Sequence, residues 1–353
     1  PYTTLFRSLG AELDPEKEFY TYHDVINTFH DDAAAQAANR MGLMLRRKGD
    51  QDEDAYALFR LSAKLGSSWG MYNAGALLRD GINGKPDMRR AVRCFSQAYH
   101  LHGEASGIAA NGGKPVYGVY STFVKRTFDQ IAQDLCINNS PATIVTFWGS
   151  VYGMNDVTHL GFQDIPMMAN IPNLVYLAPT TKEEYLAMLD WSVEQNSYPV
   201  AIKVPGGELI SDGKTVTKDF GKLNTYEVIQ KGSKVAVIGL GAFYSLGEKA
   251  AELIAEKTGV QPTLVNPYYI TGLDEALLDD LKKDHEIVVT LEDGILDGGF
   301  GEKIARYYGA SDMKVLNVGL KKEFLDRYDV QEVLEKNHLN AEQIAADVEA
   351  ILK

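Results

Sequence analysis

One glycine-rich loop carries the side chains best suited to chemistry. In the stretch GSVYGMNDVTH, His159 follows Asn155, Asp156 and Thr158. A histidine can donate hydrogen bonds and transfer protons near neutral pH, and a nearby carboxylate can orient its ring. The simpler alternative is a loop histidine that only caps backbone groups. On the loop pattern alone this alternative is favoured over an acid–base role for His159 and Asp156.

The segments before this loop predict where it lies. KPVYGVY and ATIVTFW are short, β-branched and aromatic, which predicts two buried strands. The intervening TFVKRTFDQIAQDLC has Phe123, Phe128, Ile131 and Leu135 at helical spacing. Strand, helix and strand in one short unit indicate a right-handed crossover in a parallel sheet. The His159 loop therefore follows the carboxyl end of a strand, where such folds bind ligands.

The remaining elements complete two α/β domains with mainly parallel sheets. NLVYLAP and PVAIKVP predict strands on either side of a helix opened by Thr181, with Glu184 three residues later. Residues 105–212 form the first domain, and the polar segment 213–232 reads as a linker. Residues 233–353 form the second, with the strands KVAVIGLG, QPTLVNPYYI, HEIVVTLEDG and KVLNVGLK. The glycines of GLGAFYSLG do not fit a dinucleotide fingerprint, so we interpret them as a strand-to-helix turn.

Residues 9–104 differ in character and predict an N-terminal α-solenoid. Gly42 and Gly75 occupy matching places 33 residues apart, and Phe59 matches Phe95 at a spacing of 36. A period of this length with two helices per repeat is typical of helical repeat proteins. The pattern resembles Sel1-like repeats, which implies a protein-binding scaffold; a generic helical hairpin domain is the alternative. Residues 1–8, PYTTLFRS, match the translation of a sequencing-adapter oligonucleotide, so we interpret them as non-native.

From residue 105 onward the motifs resemble the transketolase family. YSTFVKRTFDQ, GMNDVTHLGFQDI and IPNLVYLAPTTKEEYLAML resemble its pyrimidine-binding domain, and LEDGILDGGFG lies in a stretch similar to its C-terminal domain. Within the family the similarity is greatest to the 1-deoxy-D-xylulose-5-phosphate synthases, which serve isoprenoid precursor biosynthesis. The resemblance implies a transferase of two-carbon units that uses thiamine diphosphate with Mg²⁺.

The resemblance also implies roles for individual residues. His159 and Asp156 would lie at the reaction centre, and Tyr120, Phe123 and Arg126 would line the thiamine diphosphate site. Of these, Phe123 would stack on the pyrimidine, although its spacing alone favours a core position. A small keto or sugar-phosphate molecule would be the substrate.

The substrate residues depart from the family pattern. Asn155 stands where the family has an aspartate, and Lys203 is the cation nearest to one of two expected phosphate-binding arginines. Phe147-Trp148-Gly149 and Val204-Pro205-Gly206 replace the two arginine motifs. Asn155 and Lys203 are therefore the candidate substrate residues.

Other parts of a complete family site are missing from the chain. The family has its cofactor-activating glutamate eight residues before the serine that matches Ser106. This chain has Ala98 at that position. The G-D-G motif that binds Mg²⁺ and diphosphate does not occur, so a metal site within this chain is not expected. We therefore expect a chimeric or truncated sequence that is inactive alone, forming a homodimer or needing a partner chain with the diphosphate domain. The alternatives are a scaffold fused to a non-catalytic module, with a protein partner for the repeats, or one half of a split transketolase.

Charge and cysteine content narrow the protein class. The net charge is -13, and residues 105–353 hold 22 Lys and Arg against 34 Asp and Glu. Such an acidic surface argues against nucleic acid as a partner. No apolar run is long enough to span a membrane. Cys94 and Cys136 form no disulfide or metal pattern, which predicts a reduced, cytoplasmic protein.

Overall fold

The computed structural model describes residues 15–28, 32–49, 51–65, 67–91, 107–109, 112–206 and 209–353. The chain divides into two compact units, Pro1–Gly107 and Ile108–Lys353. The adapter-like segment 1–8, Cys94, Phe95 and the predicted junction with its neighbouring residues up to 106 lie outside the described residues.

The described part of the first unit is helical. Its helices are α1 (Pro15–Thr28), α2 (Asp32–Lys48), α3 (Asp52–Lys64) and α4 (Ser68–Asp80). Gly42 on α2 faces the buried ring of Phe59 on α3, and a Cβ at Gly42 would lie 2.5 Å from that ring. The small residue therefore lets the two helices approach closely.

Three side-chain hydrogen bonds in this unit join residues 34 positions apart. Asn73 Nδ2 donates to Asn39 Oδ1 at 2.8 Å, Arg46 donates to Asp80 at 2.5 Å, and Arg90 donates to the Tyr56 hydroxyl at 3.0 Å. This spacing agrees with the period of the sequence pattern, although the solenoid itself stays a prediction.

The first sheet of the second unit is parallel and contains four strands. They are β1 (Val116–Tyr120), β2 (Thr143–Phe147), β3 (Val175–Leu177) and β4 (Val200–Lys203), in the order β1-β2-β4-β3. β1 pairs with β2 in parallel, with Tyr120 opposite Phe147, so the parallel pairing of these two strands is confirmed. Among the described strands β1 lies at an edge of this sheet.

The helical segment between β1 and β2 is irregular. It runs through α5 (Ser121–Val124), a 3₁₀ turn (Lys125–Thr127), α6 (Phe128–Gln130) and a π-helical stretch (Ile131–Cys136). Ile131 and Leu135 are buried as predicted, but Phe128 is 40% exposed. Because 3₁₀ and π turns change the number of residues per turn, regular spacing misplaces Phe128.

Two helices lie in the segments that connect β2, β3 and β4. α7 (Asp164–Met168) comes before β3, and α8 (Lys182–Glu194) lies between β3 and β4. The predicted N-cap of α8 is confirmed, since the Thr181 hydroxyl accepts a hydrogen bond from the Glu184 N–H at 3.2 Å. The Glu184 carboxylate reaches back to the Thr180 N–H at 2.7 Å, one residue before the cap.

The second sheet contains five strands. They are β5 (Glu227–Gln230), β6 (Lys234–Gly239), β7 (Thr263–Asn266), β8 (His285–Ile295) and β9 (Lys314–Leu320), in the order β5-β7-β6-β8-β9. The helices are α9 (Tyr244–Thr258), α10 (Glu275–Leu281), α11 (Phe300–Tyr308), α12 (Val330–Lys336) and α13 (Ala341–Leu352). β5 lies inside the segment that reads as a linker and pairs antiparallel with β7. Gly239 belongs to a tight strand-to-helix turn, where a Cβ would lie 2.8 Å from Tyr244 Cα.

One apolar core joins the two sheets of this unit. Ile165 and Tyr176, from the first sheet's layer, share a buried cluster with Val265, Phe300 and Ile304 from the second. The two α/β domains are therefore packed as one body. In the described part of the chain, no helix combines the length and apolar character needed to cross a bilayer, and Cys136 is a buried free thiol.

Candidate active site

The candidate site lies at the carboxyl ends of β1 and β2. Since these strands are parallel neighbours in register, the residues that follow them meet at one edge. The ring of Tyr120, at the end of β1, stacks on Trp148, just after β2, with centroids 5.4 Å apart. Both rings are more than two-fifths exposed, at 42% and 45%.

Further aromatic and charged groups extend this stacked pair. Phe123 lies 6.1 Å from Tyr120 between ring centroids and meets the His159 ring edge-on at 5.6 Å. The Arg126 guanidinium lies 5.9 Å from the Phe123 centroid, within cation–π range. The structure thus brings together four of the predicted site residues, while Trp148 was not predicted. We call Tyr120, Phe123, Trp148 and His159 the aromatic group.

Asp156 and His159 form a hydrogen-bonded pair. His159 Nδ1 lies 2.8 Å from Asp156 Oδ1, and the Thr158 hydroxyl donates to the same oxygen at 2.5 Å. Hydrogen bonds from Thr158 and then His159 lower the pKa of the Asp156 carboxyl. When Nδ1 donates to Asp156, Nε2 of His159 is left to accept or return a proton.

The backbone at the start of the loop is held in an uncommon conformation. Trp148 has φ of 57°, a left-handed value that is costly for a bulky residue. A Cβ at the next residue, Gly149, would lie 2.3 Å from Asp164 Oδ2 and 2.7 Å from Lys203 Nζ. Residue 149 therefore has no room for a side chain.

A buried ion pair lies directly beneath this turn. Lys203 Nζ is 2.8 Å from both carboxylate oxygens of Asp164 and also donates to the Gly149 carbonyl. Ser121 Oγ and the Tyr176 hydroxyl donate to Asp164 Oδ2 at 3.1 and 2.9 Å. Asp164 and Lys203 are 0% and 6% exposed. This geometry supports a structural role for Lys203 and does not support the expected role in substrate binding.

The sequence did not predict Asp164 as a site residue, and it did not predict Asp293, a buried acid of the second sheet. Asp293 on β8 is buried, and its Oδ1 accepts a hydrogen bond from the Val151 N–H at 2.9 Å. Asp293 Oδ2 has no hydrogen-bond partner among the described residues. Burial raises the pKa of Asp293, and the Lys203 charge partly opposes that rise. The only sequence signal for these two acids is their place beside apolar core residues.

The predicted substrate residue Asn155 is engaged within the fold. Its Nδ2 donates to the Tyr328 carbonyl at 3.3 Å. Among the described residues no group of three or more His, Cys, Asp and Glu side chains is arranged to hold a metal ion. The described site therefore offers aromatic faces that fit a flat heterocycle, an acid–base pair and a guanidinium.

Glu292, next to Asp293 on β8, is a buried acid whose carboxylate faces the start of α11. Its carboxylate accepts hydrogen bonds from the N–H groups of Phe300 and Gly301, both at 2.8 Å. Burial raises the pKa of Glu292 to about 7, despite these two bonds. The folded state therefore keeps this proton over a pH range in which the unfolded chain releases it.

We expect a Glu292→Gln variant to lose a specific pH dependence of stability. In the wild type, the free energy of unfolding should fall by up to about 3 kcal/mol as pH rises from about 4.5 to 7. Glutamine does not titrate, so the part of this fall that comes from Glu292 should be missing when urea titrations at pH 5 and pH 8 are compared with those of the wild type. Glu302→Gln, at the exposed start of the same helix, is the control and should keep the wild-type slope. An unchanged slope in Glu292→Gln would contradict the assignment.

Two family models match the chain in sequence order. The transketolase pyrimidine binding domain matches residues 36–210, and the transketolase C-terminal domain matches residues 224–344. Together they cover most of the chain and both of its sheets.

Known proteins similar to this chain include 1-deoxy-D-xylulose-5-phosphate synthases and a transketolase. The synthase of Clostridium beijerinckii is 32% identical over 72% of this chain and 43% of its own length. That of Clostridium botulinum strain Alaska E43 is 37% identical over 64% of this chain and 36% of its own length. The chain thus spans about two-fifths of the length of these curated relatives. A solved structure, "Split gene transketolase, inactive beta4 tetramer", has a similar fold with a TM-score of 0.60 at 23% identity, over 71% of this chain and 80% of that one. On the strength of the two matched domains, this chain belongs to the transketolase family.

Proposed function

We propose that the chain is the pyrimidine-binding and C-terminal part of a thiamine-diphosphate-dependent two-carbon transferase resembling 1-deoxy-D-xylulose-5-phosphate synthase. The observation that carries the proposal is the aromatic group beside the Asp156–His159 pair at the carboxyl ends of β1 and β2. The family is thiamine diphosphate-dependent, and the aromatic faces suit the pyrimidine of that cofactor.

The residues of the site would act through contacts that the geometry allows. Phe123 and Tyr120 would hold the flat ring of the cofactor, and the Arg126 guanidinium would bind an anionic group. The His159 Nε2 would take a proton from, or return one to, a small keto or sugar-phosphate substrate. Thiamine diphosphate supplies the reactive carbon to which a two-carbon unit is attached. Asn155 and Lys203 would keep the loop and the turn in place.

The G-D-G motif that binds Mg²⁺ and diphosphate in the family does not occur in residues 1–353. We propose that a partner chain supplies the diphosphate domain with its Mg²⁺, so that the isolated protein is inactive and cytoplasmic assembly completes the enzyme. Support comes from the similar fold of the structure described as "Split gene transketolase, inactive beta4 tetramer". A homodimer of this chain is compatible with the same arrangement.

A second candidate function concerns residues 9–104. The hydrogen bonds between residues 34 positions apart favour helical repeats of the Sel1 type, which would bind a protein partner. In that case the α/β unit would be a non-catalytic module attached to a scaffold. Specific capture of one partner by residues 9–104 would favour this alternative.

Thiamine, which lacks the diphosphate, tests the aromatic site on this chain directly. We expect saturable quenching of Trp148 fluorescence by thiamine, and a Phe123→Ala variant should bind roughly 2- to 10-fold more weakly because stacking is lost. Trp148→Phe should remove this thiamine-dependent quenching. Phe128→Ala, an exposed phenylalanine of the same helical segment, is the matched control and should bind as the wild type does. Equal weakening in both alanine variants would exclude a specific pyrimidine site.

A further inference from the structure

The loop that carries Asp156 and His159 is bonded to residues from the far end of the chain. We call residues 149–160 the site loop. The N–H of Val157 donates to Asp326 Oδ1 at 3.1 Å, and the N–H of Arg327 donates to the Asn155 carbonyl at 2.6 Å. Both bonds lie within four residues of His159, and both partners follow β9 in the second sheet's layer.

Tyr328 adds two further bonds to the same loop. Its hydroxyl donates to the Val151 carbonyl at 2.8 Å, and its own carbonyl accepts from Asn155 Nδ2 at 3.3 Å. The Val151 N–H is bonded in turn to Asp293 Oδ1. Burial raises the pKa of Tyr328 to about 12, so the hydroxyl stays protonated and remains a donor at neutral pH.

The segment that makes these bonds is itself fixed at a definite place. Arg327 has φ of 48°, a left-handed conformation that a non-glycine residue adopts only where its surroundings impose it. The side chain of Asp329 then caps α12, accepting from the N–H groups of Gln331 and Glu332. Leu325 and Tyr328 pack against the buried cluster of the second sheet. The segment is therefore held from both ends.

By contrast, few hydrogen bonds from the first sheet's layer hold the loop around the acid–base pair. Asp156, whose side chain is 46% exposed, is bonded to Thr158 and His159, within the site loop. From the helical segment after β1, the Thr122 hydroxyl reaches the Thr158 carbonyl only at 3.4 Å, and Lys125 reaches the Leu160 carbonyl at 3.2 Å. The middle of the site loop thus depends on Asp326, Arg327 and Tyr328.

We infer that residues 326–328 form a C-terminal clamp that positions the site loop and so sets where His159 lies relative to Phe123. Asp326 and Tyr328 are positioning residues, because they act through the loop backbone and do not touch the reacting groups. The inference rests on the proposed function for what the loop does, but the clamp can be tested on this chain without turnover.

The first test is a Tyr328→Phe variant of the full chain, which keeps the ring and removes the hydroxyl. We expect amide hydrogen exchange across residues 150–160 to become roughly 2- to 10-fold faster, as for one lost hydrogen bond. The His159 imidazole resonance in NMR should shift as well, while exchange in β6 and β8 should stay as in the wild type. Tyr307→Phe, which removes an exposed hydroxyl bonded to Asp279, is the matched control and should change neither readout.

A second pair of variants separates the hydrogen bond from general damage. Asp326→Ala should accelerate exchange at Val157 and shift the His159 resonance, whereas Asp326→Asn keeps an acceptor oxygen and should restore both. Wild-type exchange in both Tyr328→Phe and Asp326→Ala would overturn the clamp, and so would faster exchange spread equally over β6 and β8. If the wild type binds thiamine but the site loop of both variants exchanges at the wild-type rate, only the clamp is refuted. If the site loop of the variants exchanges faster but the wild type does not bind thiamine, only the proposed function is refuted.

Discussion

Replacing Asp164 by alanine is expected to remove about 3–5 kcal/mol of unfolding free energy, because it leaves the Lys203 ammonium buried without its counter-charge. Both side chains are enclosed, and the carboxylate also accepts bonds from Ser121 and Tyr176. Urea denaturation followed by circular dichroism would measure the loss.

Two further variants make this experiment specific. Asp280→Ala breaks the exposed pair with Lys283, and such surface pairs contribute about 0–1 kcal/mol. Replacing both buried partners, as Asp164→Leu with Lys203→Met, should recover only part of the lost stability, since no unpaired charge remains but the buried Ser121 and Tyr176 hydroxyls lose their acceptor. If Asp164→Ala costs no more than Asp280→Ala, the buried pair is not formed.

Truncation of Phe300 should destabilise both sheets together. Phe300 is fully buried in the cluster shared by the two sheets, and Phe→Ala at such a site costs about 3–5 kcal/mol. Because the core is common, hydrogen exchange should accelerate to the same extent in β4 and in β8. Phe324→Ala, at a side chain that is 79% exposed, should change stability by less than about 0.5 kcal/mol. Faster exchange confined to the second sheet would show that the sheets unfold separately.

Local patterns predicted the elements of the α/β unit well. The β-branched strands flanking the His159 loop and the Thr181 cap are set by neighbouring residues, so they could be identified without tertiary information. β5 was missed because its sequence, EVIQ, is largely exposed in an edge strand and lacks the apolar character of the others. Phe128 was misplaced because the helical segment is not a regular α-helix.

Sequence patterns could predict the site residues that follow the ends of adjacent strands, but not the contacts between distant residues. Tyr120, Phe123 and His159 come together because β1 and β2 are adjacent, which the crossover implies. The pairing of Lys203 with Asp164 spans 39 residues, and nothing local to either one indicates that they meet. Lys203 therefore looked like a free cation in the sequence, whereas tertiary packing gives it a buried partner.

The long sequence separations within the clamp have a consequence for the order of folding. The bonds from the site loop to Asp326 and to Tyr328 span 169 to 177 residues. At about 5–20 residues per second, a ribosome needs roughly 10–35 s to synthesise that interval. The aromatic group thus leaves the ribosome well before residues 326–328 of the clamp. We therefore expect the site loop to be among the last parts of the α/β unit to reach its final conformation.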